Sequence, residues 1–374
     1  MKAYKWLIVG LGALFFTSCE RDLNCDMDDV NVTVATNDQV RYEGNILTVK
    51  KGTPIEFLLH GEPDFVSFFS GEIGHQYIYR NRTELSPADI ESCELKFSVW
   101  AQYGKASSCV NQFDVLYMAG SDAEAQRSGA IFPGLSKTDF EADSVLVEKN
   151  TPWKELVSRE KLPQKPVSGA SAANDYSFNL KSYIGQKMTL ALVLNRDKSE
   201  AISANNPDDP KATIVQSTFH VQDMHIQTKW KNGRITKSYA SAFGFTPLNM
   251  KNKTVFKDQD EVIMPADREY GSVTLGGVPG MWNLNNIANG NFTIQGCAVN
   301  EVWKYSWLVS DYLNLTECPE PDTSVKVKDI TVDQNSYSYT YNQVGTYTAT
   351  FVLNKANYHD AASTTRELII NVTE

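Results

Sequence analysis

The sequence of 374 residues has few of the residues and motifs on which catalysis and metal binding commonly depend. It contains five histidines and six cysteines. It has no His-Glu-x-x-His, Gly-x-Ser-x-Gly, phosphate-loop or EF-hand pattern. An acidic pair suited to glycoside hydrolysis is easily found among 45 acidic residues and therefore carries little weight. We expect no enzyme and no cofactor, and a structural calcium ion stays an open alternative.

Positive charge is also scarce. Asp and Glu total 45 against 35 Lys and Arg, a formal net charge of -10. The densest basic cluster, residues 229–237, is short and has the composition of a turn. Nucleic-acid binders need clustered positive charge to displace counterions, so no nucleic-acid partner is expected.

One long apolar run is present, at the N-terminus. Lys2 and Lys5 precede the apolar residues 6–16, and Thr17-Ser18-Cys19 follows. The run is shorter than the ~20 residues that span a bilayer, so it predicts a cleaved signal peptide over residues 1–18. Cys19 is then the predicted lipid acceptor, with residues 19–29 as an acidic tether. The alternative is a plain secretory signal with an incidental cysteine.

The remaining cysteines show neither Cys-x-x-Cys nor zinc spacing. Outside the cytoplasm, Cys93 with Cys109 and Cys297 with Cys318 are each close enough in sequence to form a disulfide, which leaves Cys25 unpaired. Buried free thiols are the alternative.

Alternating apolar residues predict an all-β fold of three units. Residues 30–120 contain half-buried strands and turns, which favour an immunoglobulin-like β-sandwich. Here Ile46–Val49 and Ile55–Leu59 are predicted to form a hairpin. Residues 121–317 have many short strands separated by long loops, which is typical of a jelly roll. Residues 318–374 resemble the end of a polycystic-kidney-disease (PKD) sandwich.

One segment carries a family resemblance. It contains Phe68-Phe69-Ser70-Gly71-Glu72, Gly74-His75, Tyr77 and Arg80-Asn81-Arg82. This pattern resembles the opening domain of Bacteroidetes lipoproteins known as a domain of unknown function of the five-zero-one-seven type. Later steps, including Tyr183-Ile184-Gly185 and the stretch from Gly345 to Phe351, follow in the same order. Residues 120–140 depart from the pattern, keeping only Lys137-Thr138-Asp139-Phe140.

The resemblance implies a galactose-binding-like jelly roll and a setting in polysaccharide uptake at the outer membrane, with an uptake receptor complex as a candidate partner. Phe68 and Tyr77 are interpreted as core residues, because aromatic rings near alternating strands mostly bury their area. Gly71 and Gly74 are interpreted as turn positions.

A sugar site needs an exposed aromatic ring with amide neighbours. Trp230 lies beside the turn residues Asn232-Gly233, and Trp282 precedes Asn283 and Asn285, so these four residues are the candidate ligand-binding set. For Trp282 the alternative is a loop plug over the core. Trp100 and the stripe Trp303, Tyr305 and Trp307 are interpreted as core.

Two classes of function follow. The first is a lipid-anchored outer-membrane protein that binds polysaccharide or oligosaccharide without catalysis. The second is an adhesin or structural surface lipoprotein that binds protein or matrix. The fold alone does not decide between them.

Overall fold

The computed structural model describes residues 25, 27–121, 131–149, 153–196, 215–250, 274–275, 278–279, 282–296 and 304–374. The fold is all-β, as predicted. The described residues contain one α-helix, α1 (Phe140–Glu148). Asp139 caps it by accepting a hydrogen bond from the Ala142 N–H (3.0 Å). No helix within the described ranges is long and apolar enough to cross a membrane.

The described strands are numbered in chain order. The first eleven are β1 (Asn31–Val34), β2 (Val40–Glu43), β3 (Ile46–Lys50), β4 (Pro54–His60), β5 (Phe65–Phe69), β6 (Ile90–Gln102), β7 (Phe113–Gly120), β8 (Lys154–Val157), β9 (Asn174–Asn179), β10 (Lys187–Leu194) and β11 (Thr218–Trp230). The others are β12 (Ile235–Tyr239), β13 (Thr246–Met250), β14 (Thr274–Leu275), β15 (Val278–Pro279), β16 (Trp282–Asn283), β17 (Phe292–Ile294), β18 (Tyr305–Val309), β19 (Val325–Lys328), β20 (Ser336–Thr340), β21 (Gly345–Ala356) and β22 (Ala361–Thr373).

The chain divides into two compact units rather than the three predicted. The first unit combines Met1–Arg82 with Glu320–Glu374, and the second is Thr83–Pro319. The predicted boundary at residue 120 is therefore wrong, because β6 pairs with β11 and β7 pairs with β10, all within the second unit. The predicted C-terminal domain is not separate, because its strands pair with β3, β4 and β5 of the first unit.

The first unit has a three-stranded sheet, β1-β4-β20, and a six-stranded sheet, β19-β5-β21-β22-β3-β2. All pairings are antiparallel except that of β22 with β3. The predicted hairpin of β3 with β4 is wrong, because β3 and β4 lie in different sheets. The predicted alternation is correct: Ile55, Phe57 and Leu59 are all buried.

The segment that carries the family resemblance packs against both parts of the first unit, the one before residue 82 and the one after residue 320. Phe68 of β5 is fully buried against Phe57, Phe351, Tyr337 and Tyr339. The interpretation of Phe68 as a core residue is therefore confirmed.

Beyond β5, the carboxylate of Glu72 accepts hydrogen bonds from Ser70 Oγ (3.0 Å) and from the Tyr339 hydroxyl. Gly71 has φ +81°, and a Cβ there would lie 2.6 Å from the Thr348 carbonyl oxygen, so only glycine fits. Tyr77 is half-buried on Phe69.

The second unit is a two-sheet sandwich. We call its five-stranded sheet, β13-β18-β10-β7-β8, the back sheet, and the sheet β16-β17-β11-β6-β9, with β12 on β11, the front sheet. Their facing side chains form one core, which includes Leu95, Val115 and Leu190. The other side of the back sheet is also apolar and includes Tyr305 and Trp307, packed against α1. Of the predicted stripe, Trp303 lies outside the described residues.

Candidate functional site

Trp230 is not exposed, contrary to the prediction. Its side chain is 3% exposed, and its Nε1–H donates to Thr236 Oγ1 at 3.1 Å. Trp230 ends β11 on the same side as Ile226 and Thr228, so the period-two alternation of the strand turns the indole into the core. The predicted tight turn does exist beside it, with Gly233 at φ +91°.

Trp282 is also buried, so its predicted exposure is wrong and it is a core plug. Its side chain is 0% exposed, and its Nε1–H donates to Ser306 Oγ at 2.8 Å. Asn283 lies on the opposite side of β16 and lines a surface cavity. Asn285 donates its backbone N–H to Asn283 Oδ1 (3.1 Å) and does not line that cavity. Of the four predicted ligand residues, Asn283 alone reaches a cavity.

The cysteines correct another prediction. Cys93 and Cys109 are separate buried thiols, so they form no disulfide. Cys93 contacts Thr228 Oγ1, and Cys109 contacts Ser217 Oγ at 3.0 Å. Burial raises the pKa of the Cys93 thiol to about 11. Cys19 and Cys297 lie outside the described residues, so lipidation and the pairing of Cys297 with Cys318 stay predictions.

The front sheet leaves its outward side uncovered by another layer of described strands or helix. In β6, Leu95, Phe97, Val99 and Ala101 point into the core, so the residues between them point outward. We call this outward side the front face. It includes Lys96, Ser98, Trp100 and Gln102 of β6, Asp175 and Ser177 of β9, His220, Gln222, His225 and Gln227 of β11, Lys237 of β12, and Thr293 of β17.

A stacked pair of rings lies on the front face. Trp100 and His220 are cross-strand neighbours, with ring centroids 3.9 Å apart and planes 6° from parallel. Trp100 is 8% exposed, and its Nε1–H has no acceptor within the described part of the chain. Trp100 is buried, as interpreted, but on the outward side of the sheet and not in the core between the two sheets. The sequence signal for that side is its position one residue after Val99, which points inward.

His220 is held as a neutral hydrogen-bonding group. Burial lowers the pKa of its imidazole, which favours the uncharged form at neutral pH. Its Nε2 lies 3.0 Å from the carboxamide oxygen of Gln102. A carboxamide oxygen only accepts, so Nε2 donates and Nδ1 keeps a lone pair that can accept a hydrogen bond.

Three cavities lie along the front face. The first, about 180 Å³, is lined by uncharged side chains and two core residues: His220, Val221, Gln222, Asn283, Asn286, Asn291, Phe292 and Thr293. Amide and imidazole groups there offer both donors and acceptors. This combination suits hydroxyl groups, which also donate and accept.

The second cavity, about 440 Å³, lies farther along β11 and carries charge. Its lining includes Lys96, Asp175, His225 and Lys237. His225 is buried, and its Nδ1–H donates to the Asp223 carbonyl oxygen at 2.6 Å. Its Nε2 has no partner among the residues described. A bulge between Gln222 and His225, with Asp223 at φ 49°, places the imidazole on this side of the sheet.

The third cavity, about 590 Å³, adjoins Trp100 on the β9 side of the sheet. Its wall is the chain between β8 and β9, including Glu160, Gln164 and Lys165. Val167 N–H donates to the Ala101 carbonyl oxygen (2.9 Å), which holds this segment on the end of β6. The second and third cavities fall in the volume range usual for small-ligand sites, roughly 300–1,000 Å³.

The described residues contain no group of three or more His, Cys, Asp or Glu side chains placed to hold a metal ion. Asp114 is a buried carboxylate, but Arg159 pairs with it at 2.6 Å and Arg196 at 3.2 Å. That cluster is a satisfied ion-pair network.

A family model, "Domain of unknown function (DUF5017)", matches residues 18–242, more than half of the chain. The chain belongs to this family. The DUF5017 match includes residues 68–82, on which the resemblance rested, whereas the later resemblance around residues 345–351 lies outside it. No curated protein and no solved structure is significantly similar to the chain.

The DUF5017 match contains most of the front face. The linings of the second and third cavities fall entirely within it, as does the stacked pair of Trp100 and His220. The first cavity is divided, because Asn283, Asn286 and Thr293 lie beyond residue 242. In this DUF5017 protein the two larger of the three cavities described above are thus formed by family-matched sequence.

Proposed function

We propose that the chain is a lipid-anchored cell-surface protein that binds glycans without catalysis, as part of a polysaccharide-uptake system. The observation that carries the proposal is the front face, where Trp100 and His220 stack on each other, His220 lines the first cavity and Trp100 lines the third. The signal-like segment ending at Cys19 supports the anchor.

Sugars suit this face for a chemical reason. A glycan presents many hydroxyl groups, each of which both donates and accepts, and the first cavity offers amides and a neutral imidazole without any charged side chain. A buried donor without an acceptor is costly, so a ligand oxygen that reaches Trp100 Nε1–H gains a well-oriented partner. The glycan would therefore bind along the front sheet, centred on Trp100.

The test is binding of the purified protein to soluble plant, fungal and host polysaccharides, followed by titration of any that bind. Gln222→Ala removes hydrogen-bonding groups from the first cavity, and Trp100→Phe removes the indole N–H while it keeps a ring. Each variant should weaken binding by roughly tenfold, which is about 1.4 kcal/mol.

Lys231→Ala, in the exposed β11–β12 turn, is the matched control and should bind as the wild type does. Unchanged affinity in both front-face variants, with their folding intact, would exclude this face as the site. Failure of every polysaccharide to bind would instead favour the adhesin alternative.

A further inference from the structure

The N-terminal segment is held at the tip of the longest hairpin of the first unit. The hairpin is formed by β21 and β22, and its turn contains Asp360. Cys25 N–H donates to Asp360 Oδ2 (3.2 Å), and the Cys25 thiol donates to the Asp360 carbonyl oxygen (3.3 Å). The chain that leads back to Cys19 therefore starts from this tip.

We propose that the hairpin tip, residues 356–361, lies against the lipid surface and that Tyr358 inserts into the headgroup layer. The inference rests on the lipid anchor at Cys19 proposed above. Cys25 lies six residues after Cys19, and a fully extended chain of that length spans about 20 Å. The tip is thus the part of the first unit that the anchor holds near the bilayer.

Hydrogen bonds fix the backbone of the turn that carries Tyr358. The Asn357 carboxamide oxygen accepts from the backbone N–H groups of His359 (2.8 Å) and Asp360 (2.7 Å). Ala356 N–H donates to Asp64 Oδ2 at 2.8 Å, which fixes the base of the turn to the neighbouring loop. Tyr358 follows directly after these contacts, at the apex, and its side chain is 83% exposed.

Tyr358 has the chemistry of an interfacial residue. Its ring packs on His359, with centroids 4.0 Å apart, and carries both an apolar surface and a polar hydroxyl. Rings of this kind are favoured where one end is apolar and the other is wet. Lys355 is the one Lys or Arg among residues 345–361, so the contact depends on the aromatic ring rather than on attraction to acidic lipids.

The experiment uses the lipidated protein in phosphatidylcholine vesicles, with a spin label attached at His359→Cys. The protein also carries Cys25→Ser, which keeps a hydroxyl donor toward Asp360. The label should be several-fold less accessible to a water-soluble nickel chelate than the same label on non-lipidated Cys19→Ala protein. High salt should not change the result, because charge is not the attraction. Adding Tyr358→Ser should restore access to the chelate.

The control label is Val344→Cys, an exposed site at the other end of β21, about 40 Å away along the strand. Its chelate access should be the same with and without lipidation. The tip proposal is overturned if the protein floats with vesicles while the label at 359 stays as accessible as the one at 344. Failure of the protein to float would overturn the anchor itself, and the tip proposal with it.

Discussion

Phe68 is a fully buried residue in the core of the first unit. Its ring lies 4.7–5.6 Å from four other aromatic rings and has no exposed surface. Phe68→Ala should lower the free energy of unfolding of this unit by roughly 3–5 kcal/mol, because it removes buried area and leaves a cavity. Denaturant unfolding, followed with a probe in the first unit, measures the loss.

Phe65 provides the matched control, since it lies on the same strand but is partly exposed. Phe65→Ala should cost much less than Phe68→Ala. Equal losses would mean that the strand, and not the buried ring, determines the effect.

Single residues show where reasoning from the sequence succeeds and where it fails. Alternation correctly placed Ile55, Phe57 and Leu59 in the core, because the strand period depends on local geometry alone. Trp230 was misjudged from its polar neighbours, although its parity with Ile226 determines its side of the strand. The same parity argument applies to Trp100: it lies between Val99 and Ala101, which point into the core, so its side chain points outward. Residue type suggested burial for Trp100, while strand position placed it on the front face.

At the scale of elements, β20 is joined to the loop after β5 by tyrosines. The Tyr339 hydroxyl donates to the Glu72 carboxylate, and the Tyr341 hydroxyl donates to the Ser70 carbonyl oxygen at 2.7 Å. Burial, followed by the hydrogen bond to Glu72, raises the pKa of Tyr339 to about 12. Burial also raises the pKa of Tyr341.

These shifts predict a loss of stability in alkali. In the unfolded state a tyrosine has a pKa of about 10. A tyrosine whose pKa is higher than that in the folded state contributes its full stabilisation below pH 10. The contribution is lost as the pH rises through the folded value, so the first unit should weaken between about pH 10 and pH 12. Unfolding measured as a function of pH would show the decline.

Tyr339→Phe separates this link from general alkaline damage. It should cost about 1 kcal/mol at neutral pH and make the decline above pH 10 shallower. Tyr358→Phe is the control, because its exposed hydroxyl makes no hydrogen bond among the described residues. If Tyr339→Phe and the wild type lose stability in parallel from pH 10 to 12, the ionisation of Tyr339 is not the cause.

Strand pairing could not be predicted as well as strand identity. β3 and β4 are separated by a short turn, which favours a hairpin on local grounds. In the structure β3 pairs in parallel with β22 and β4 pairs with β20, both roughly three hundred residues away. These pairings form because two sheets bury their apolar sides against each other. The local sequence around β3 and β4 does not specify which distant strands they pair with.

The whole molecule shows the same limit at larger scale. Three consecutive units were predicted because the composition changes along the chain, but the two ends of the chain form one unit together. The front face has the same origin, since β6, β9, β11 and β17 come from distant parts of the sequence. The strands could be predicted from the sequence. The cavities could not, because their positions depend on which strands pair with each other.

Attachment to the membrane is a property of the whole molecule that one residue controls. If Cys19 carries the lipid, Cys19→Ala should yield a soluble or membrane-retained precursor, because the variant lacks the acyl chains that would hold the mature chain in the bilayer. Detergent phase partition and fractionation measure the change, and the wild type should enter the detergent phase, since two or more acyl chains anchor stably. Cys25→Ala changes a cysteine six residues later and should partition as the wild type does. A Cys19→Ala protein that still enters the detergent phase in mature form would show that something other than Cys19 holds the chain to lipid.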